Sequence, residues 1–340
     1  MQTSAIYAQA RMQKFDAEFK NLDHYIRVIT DRIWEGRRIE DIRKYYSDPC
    51  VVETPSSVST SVQAVIDGTH ATLAMFPDRR LLAEDVIQSG DDQGGFLSSH
   101  RIISPVTHLG EGSFGSATGK KLHVRTIADC VCKDNLITHE WLVRDQGAIA
   151  VQIGSTPQAL AQRWLNERGG WNKPVAAPAP AYYISHISTD PLAQRYAQAL
   201  QDFAGGKSNV ELVYDDAVHH IGPCGVTRYG HAEVSAYWNG LFQSLRASSL
   251  QIEHLAVQRG DGRADRVAVR WRAQCELVST GFSSVKEMGQ TKDKPLHRGH
   301  KIVELMGINH VEFNRDRVLR EWVLIDEVAL WMQILAPEKK

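Results

Sequence analysis

One carboxylate and three histidines offer this sequence its clearest chemistry. Asp145 stands two residues beyond Val143 and four beyond Trp141. On an extended strand those three share a face with Ile137 and His139. If that face walls an enclosed pocket, the carboxylate loses water and its pKa climbs toward neutrality. It can then take a proton from the carbon beside a carbonyl, or return one. Trp141 would wall the pocket and desolvate its neighbour. In the plainer reading, the aspartate is a surface or arginine-paired strand end, and the tryptophan fills a core. His100, His108 and His123 fall on extended stretches. His100 and His108 share parity provided that Pro105 causes no bulge. One of them could polarise a substrate carbonyl or protonate a leaving oxygen; each is as readily a satisfied structural histidine.

The surroundings of Asp145 occur twice. EWLVRDQGAIAVQIG (140–154) aligns without a gap on EWVLIDEVALWMQIL (321–335), sharing Glu, Trp, Asp, Ala, Gln and Ile. The same offset extends back to Ile127 and Ile308. Weaker matches follow in the same order: KYYSDPCVVETP (44–55) with LVYDDAVHHIGP (212–223), AEDVIQSGDD (83–92) with IEHLAVQRGD (252–261), and TGKKLHV (118–124) with RGHKIVE (298–304). An ordered internal repeat means two copies of one structural unit. Asp326 and Trp322 therefore repeat Asp145 and Trp141. His220 and His310 fill ranks like those of the first-copy histidines, with His219 beside the former. His310 occupies the position of Asp129, so the polar equipment of the copies differs.

Between the copies, GGWNKPVAAPAPAYYISHISTD (169–190) reads as a linker of polyproline character. Thr156-Pro157 and Asp190-Pro191 are helix starts, a capping side chain followed by proline. They predict helices over about 157–167 and 191–204. Upstream, Phe15, Phe19, Leu22, Ile26, Ile29 and Ile33 predict one long amphipathic helix. Later the period becomes two. Leu122, Val124, Thr126, Ala128 and Cys130 take one face of a strand, and KDN (133–135) and NRD (314–316) mark hairpin turns in both copies. Helices followed by antiparallel strands make an α+β domain, a curved sheet with helices across one face. The expected division is residues 1–168, a linker 169–190, and residues 191–340.

Composition narrows the partners. Apolar residues make up 43% and charged residues 23%, with net charge −1 and no block of like charges. That lacks the electrostatic footprint of a nucleic-acid binder or of a polybasic membrane anchor. No apolar run approaches the ~18–20 residues of a membrane helix, and the start lacks the form of a signal peptide. Five cysteines at irregular spacing read as reduced thiols of a cytoplasmic protein. Cys130 and Cys132 share a strand face without further ligands. His219-His220 point to opposite faces, and His297-x-x-His300 has no carboxylate partner, so no metal is expected. GEGSFGSATGK (110–120) fits neither a phosphate loop nor a dinucleotide turn and reads as a loop between strands. No cofactor is expected.

The order of elements, ending in a Trp-x-x-x-Asp strand, resembles the SnoaL-like branch of the nuclear transport factor two-like superfamily. Copy one carries Phe76-Pro77-Asp78, His100-Arg101, Thr107-His108-Leu109-Gly110, Thr118-Gly119-Lys120, Trp141 with Asp145, and Gln152-Ile153-Gly154. Copy two keeps Trp322, Asp326, Gln333 and Ile334. It has LRASSL (245–250) for Phe-Pro-Asp, VRWRAQCELVSTG (269–281) for the His-Arg strand, and an inserted loop, FSSVKEMGQTKDKPLH (282–297). The resemblance implies two tandem cone-shaped α+β barrel domains, each a curved sheet around a deep pocket. In the family's polyketide cyclases a late-strand aspartate is acid and base on a carbonyl substrate, without metal or coenzyme. Asp145 and Asp326 match it. His108 and His100 would assist, and Trp141, His123, Arg101, Trp322, His310 and His220 would surround a small ligand. Ketosteroid isomerases, dehydratases and epoxide hydrolases share the fold, so fold alone does not choose the reaction. A second expectation is a binding or scaffold protein whose copies pack sheet on sheet within one chain, open to further self-association.

Overall fold

The structure, a computed structural model, describes residues 12–284 and 301–337. Most of the inserted loop of copy two, with His297 and His300, lies outside the described residues.

Copy one begins with α1 (Leu22–Thr30), whose N-terminus is capped by the Asn21 side chain accepting from His24 N–H. The single long helix expected from Phe15 onward is corrected: Phe15 and Phe19 precede the cap. They still bury in the same cluster as Leu22, Ile26, Ile29 and Ile33, because a chain can fold a hydrophobic stripe over without remaining helical. A π-turn (31–35) follows, then the short α2 (Ile42–Tyr45), β1 (Tyr46–Thr54), β2 (Ser57–Ser59) and α3 (Val62–Met75). Next come β3 (Leu82–Asp91), β4 (Gly95–Thr107), β5 (Lys121–Lys133), β6 (Leu136–Arg144), α4 (Gln146–Ile153) and α5 (Pro157–Arg168).

Copy two repeats the plan with α6 (Pro191–Ala204), α7 (Val210–Val213), β7 (Tyr214–Ile221), β8 (Thr227–Tyr229), α8 (Gly230–Ser244), β9 (Leu245–Gln258), β10 (Arg266–Leu277), β11 (Ile302–Asn314), β12 (Arg317–Ile325) and α9 (Glu327–Leu335). The sheet orders are β2-β1-β6-β5-β4-β3 and β8-β7-β12-β11-β10-β9, one topology twice. Each sheet is mixed rather than wholly antiparallel, since β1 runs parallel to β6 and β7 to β12. The hairpin turns stand where expected, with Asp134, Asn135 and Arg315 at positive φ. Thr156 and Asp190 cap the predicted helices.

Pro105 stays in register opposite His123, without a bulge. A bulge does occur in β6. Cys132 pairs with Ile137 but Val131 pairs with His139, which leaves Thr138 unmatched. Ile137 therefore faces the helices with Leu142, whereas His139, Trp141 and Val143 face the other way. There the two sheets pack back to back through Leu97, Ile127, Val131, Trp141 and Val143 of copy one and Met306, Ile308 and Leu324 of copy two.

This seam has approximate two-fold symmetry. The Arg101 guanidinium lies 3.5 Å from the Trp322 ring centre, and Arg270 lies 3.6 Å from that of Trp141. Arg101 pairs with Ile127 in its sheet and Arg270 with Ile308, so Arg270 is the counterpart of Arg101. Copy two thus keeps the arginine of the His-Arg pair, with Val269 in the place of His100. Asp129, fully buried, accepts from Arg270 at 2.9 Å and from His254 at 3.0 Å. Burial opposes its ionisation, but His254 and Arg270 hold its pKa down to about 2. Ser89 bonds His254 at 2.9 Å and Ser99 bonds His310 at 2.8 Å, also across the seam.

Candidate functional site

The concave side of copy one holds a cavity in two adjoining lobes of about 220 and 280 Å³. β4, β5 and β6 supply its floor from alternating positions: Ile102, Ser104 and Val106; Val124, Thr126, Ala128 and Cys130; Glu140, Leu142 and Arg144. Leu122 apart, this is the β5 face anticipated from its period of two. Helices α1 and α3 close one lobe with Ile26, Ile29, Val65 and Thr69. Phe76, Phe114, Ile149 and Trp164 line the other. Small residues on α3, Ala64 and Gly68, leave the space open. Both lobes share Thr54, Ser57, Thr72, Arg79, Thr126, Leu142 and Arg144, so the waist between them is polar.

The ionisable groups of this cavity are sparsely partnered. Glu140 is buried, and among the described residues its carboxyl takes one hydrogen bond, a long one of 3.4 Å from the Tyr46 hydroxyl. Burial raises its pKa, with the Arg144 charge holding it back. Arg79 is 9% exposed, and its guanidinium makes no hydrogen bond or ion pair among the described residues. Burial pushes its pKa down to about 9. The Arg144 Nε is buried without a partner, and burial lowers that residue's pKa as well. His100 lines the lobe beneath α1 and α3, its Nε2 buried and unpartnered. Burial lowers its pKa to about 3, so the ring is neutral and able to donate or accept one hydrogen bond.

Asp326 reaches this cavity from copy two. As N-cap of α9 it accepts from Val328 and Ala329 N–H through Oδ1, and burial pushes its pKa up to about 7. Of the residues singled out from the sequence, His100 and Asp326 are thus brought together, one from each copy.

The others lie elsewhere. Asp145 does not end a strand face; it caps α4. Its oxygens accept from Ala148 N–H (2.9 Å), Cys224 N–H (2.9 Å) and Gly225 N–H (3.0 Å), the last two from the turn after β7. Burial pushes its pKa up to about 6 against those three bonds. Trp141, Trp322, Arg101 and His310 belong to the seam between sheets, on the convex side; the β6 bulge inverts the expected parity of Trp141, and β12 has a matching register shift before Trp322. His108 is buried outside the cavity lining, with Nδ1 3.2 Å from the Thr118 hydroxyl and its ring 5.4 Å from that of Phe76. His123 is exposed, and the Gln152 side chain clamps its backbone N–H and C=O at 2.9 and 3.0 Å. Gln333 does the same for Glu304 in copy two, so the repeated glutamine is a strand-to-helix tie.

His220 sits inside copy two, where the equivalent cavity is filled. Glu321, the repeat of Glu140, is fully buried and saturated: Tyr196 and Tyr214 hydroxyls donate at 2.5 and 2.7 Å, and His220 Nδ1 lies at 2.5 Å. Asn309 donates to Tyr196 and accepts from Trp271. In copy one the repeat puts Ala128 for Asn309 and Val52 for His220. Trp238 stacks on Phe203 at 5.3 Å and, with Tyr237, takes the space that small α3 residues leave open. Sequence reasoning missed Glu140, Arg144 and Arg79. The signal for the first two was their alternation with Trp141 and Val143, the wrong face having been chosen.

All five cysteines are buried and free. Among the described residues, no three His, Cys, Asp or Glu side chains cluster as metal ligands, and no helix is long and apolar enough to cross a membrane.

The model of the SnoaL-like polyketide cyclase family matches residues 24–153. No curated protein matches the chain. Among solved structures, IdmH from Streptomyces antibioticus is 20% identical, with 38% of this chain and 96% of that one aligned and a TM-score of 0.34. A SnoaL-like polyketide cyclase from Agrobacterium tumefaciens is 18% identical over 39% of this chain and 98% of that one, with a TM-score of 0.33. TsrD from Streptomyces laurentii is 15% identical over 38% and 92%, with a TM-score of 0.34. The stretch of likeness to the SnoaL-like polyketide cyclase family thus runs from α1 to the glutamine clamp that ends copy one.

Proposed function

We propose that copy one is an acid/base enzyme of the cyclase or isomerase type, acting on a small, largely apolar, carbonyl-bearing molecule, while copy two serves as its scaffold. The observation that supports this is a cavity with a desolvated carboxyl on each side of its waist, Glu140 in one lobe and Asp326 in the other. Removing a proton from one carbon and returning it elsewhere needs a base and an acid whose pKa values lie near the working pH. Burial moves both carboxyls upward. His100 would donate from its neutral ring to the carbonyl oxygen as negative charge develops there, and losing such a donor typically costs ~10²–10³ in rate.

Asp145, the aspartate of the family pattern, has both oxygens engaged by backbone N–H groups and does not line the cavity, so we assign that role to Glu140 and Asp326. Within copy two's own interior, where Glu321 is saturated and aromatic rings fill the space, a non-catalytic reading is favoured, and Asp326 is its one contribution to the chemistry of copy one.

The test is deuterium uptake from D2O beside the carbonyl in a panel of apolar ketones and keto acids, followed by NMR. Enzyme-dependent exchange that falls at least a hundredfold in Glu140→Gln, and separately in Asp326→Asn, supports the assignment. Exchange indifferent to both substitutions would sink it.

A further inference from the structure

Arg79 and Arg144 meet at the waist of the cavity, each lacking an ion-pair partner among the described residues. Other buried arginines in this protein are neutralised. Arg270 has Asp129 at 2.9 Å and Glu253 at 3.2 Å; Arg266 has Asp85 at 3.0 Å and Asp261 at 2.5 Å; Arg101 has Glu84 at 3.1 Å. The carboxylate that acts on the Arg79 charge is Glu35, already bonded to Arg80 at 2.9 Å and to Leu81 N–H at 2.6 Å. Arg144 feels Glu140 and Asp326 without an ion pair to either. Two guanidinium groups, both facing one void and repelling each other, are costly to bury unless something negative binds between them.

We infer that the molecule bound in this cavity carries a carboxylate, held between Arg79 and Arg144. This rests on the cavity being the substrate site, as proposed above, and narrows the substrate class to apolar keto acids or their kin. A planar guanidinium matches a two-oxygen anion fork to fork. The hydroxyls of Thr54, Ser57, Thr72 and Thr126 ring the same waist and can donate to the remaining lone pairs. A phosphate is the poorer match: such groups sit on backbone N–H cradles and helix N-termini, and here the N-terminus of α4 is stoppered by its own Asp145 cap. The apolar lobes would take the rest of the molecule, which places its reacting carbons near Glu140 and Asp326.

Calorimetric titration of the full-length protein with 2-naphthoate and with its neutral isostere 2-naphthamide tests this, with inorganic phosphate as competitor. The acid is expected to bind at least tenfold more tightly than the amide. Arg79→Gln and Arg144→Gln should each reduce that preference to about onefold, and Arg79→Lys and Arg144→Lys, which keep the charge, should retain part of it. Equal binding of acid and amide, no binding of either, or displacement of naphthoate by equimolar phosphate would overturn the carboxylate site. Glu140→Gln separates the two ideas. If it abolishes exchange while the acid preference is absent, the inference fails and the reaction stands. If the preference is present while exchange ignores Glu140, the reaction fails and the inference stands.

Discussion

Replacing Asp145 by asparagine discriminates a structural carboxylate from a proton carrier. Its pKa of about 6 in the fold, against 3.8 ordinarily, is set first by burial. The raised value means that the folded protein holds the proton more tightly than the unfolded chain. This contribution to stability is fully present below about pH 3.8 and is lost as pH rises through about 6. A gap of roughly two units corresponds to about 3 kcal/mol. Asparagine removes that dependence. It retains one oxygen for the Ala148 and Cys224 N–H groups but turns an amide N–H₂ toward Gly225 N–H, at a cost of about 1–3 kcal/mol. The variant should therefore be less stable than the parent at pH 4.5 by about 1–3 kcal/mol and close to it, or above it, at pH 8. Urea unfolding midpoints at several pH values read this directly. A stability difference that does not change with pH would refute the assignment of burial as the dominant cause. Loss of exchange activity in a fully folded variant would return Asp145 to the chemistry.

Further outcomes follow from the same geometry. Arg270→Ala should destabilise by about 3–5 kcal/mol, measured by chemical denaturation, because it strips Asp129 of its guanidinium partner in a sealed seam. Trp238→Ala should cost about 3–5 kcal/mol by leaving a void in copy two, with naphthoate affinity in copy one unchanged by calorimetry. If Asp326 is the acid or base, the pH–rate profile of exchange should show a limb near pH 7 that Asp326→Asn removes. Residues 1–168 expressed alone should self-associate in sedimentation experiments, since Trp141, Val131 and Leu97 would lose their cover.

The repeat, the helix starts at Thr156 and Asp190, the hairpin turns and the α+β class were all legible, because each rests on local spacing or capping chemistry. The face of β6 was not. One unmatched residue, Thr138, reverses which side chains look inward, and nothing in the composition of ITHEWLVRD announces a bulge. That single inversion moved Trp141 from the pocket to the seam and hid Glu140 and Arg144. Asp145 was misread for a different reason. Asp-Gln-Gly-Ala and Asp-Glu-Val-Ala are acceptable capping sequences, but a strand period of two carried on one residue too far. Arg79 had no signal at all: its place at the cavity waist is set by tertiary packing after α3.

The seam between sheets has a consequence for symmetry. Two free copies of one domain would meet through it as identical partners, and each would have to keep both its inside and its outside. Here residues 169–190 join them, docked by the Tyr182 hydroxyl on Thr138 at 2.5 Å and by backbone bonds between Leu255 and residues 186 and 188. Such a tether holds the halves at an effective concentration on the order of millimolar, whatever the dilution. The partners are then never exchanged, and they are free to be unlike. Copy two can give up its interior to Trp238, Tyr237 and His220 while still presenting Trp322 to Arg101 and lending Asp326 to its neighbour, a division of labour that a pair of identical chains cannot encode.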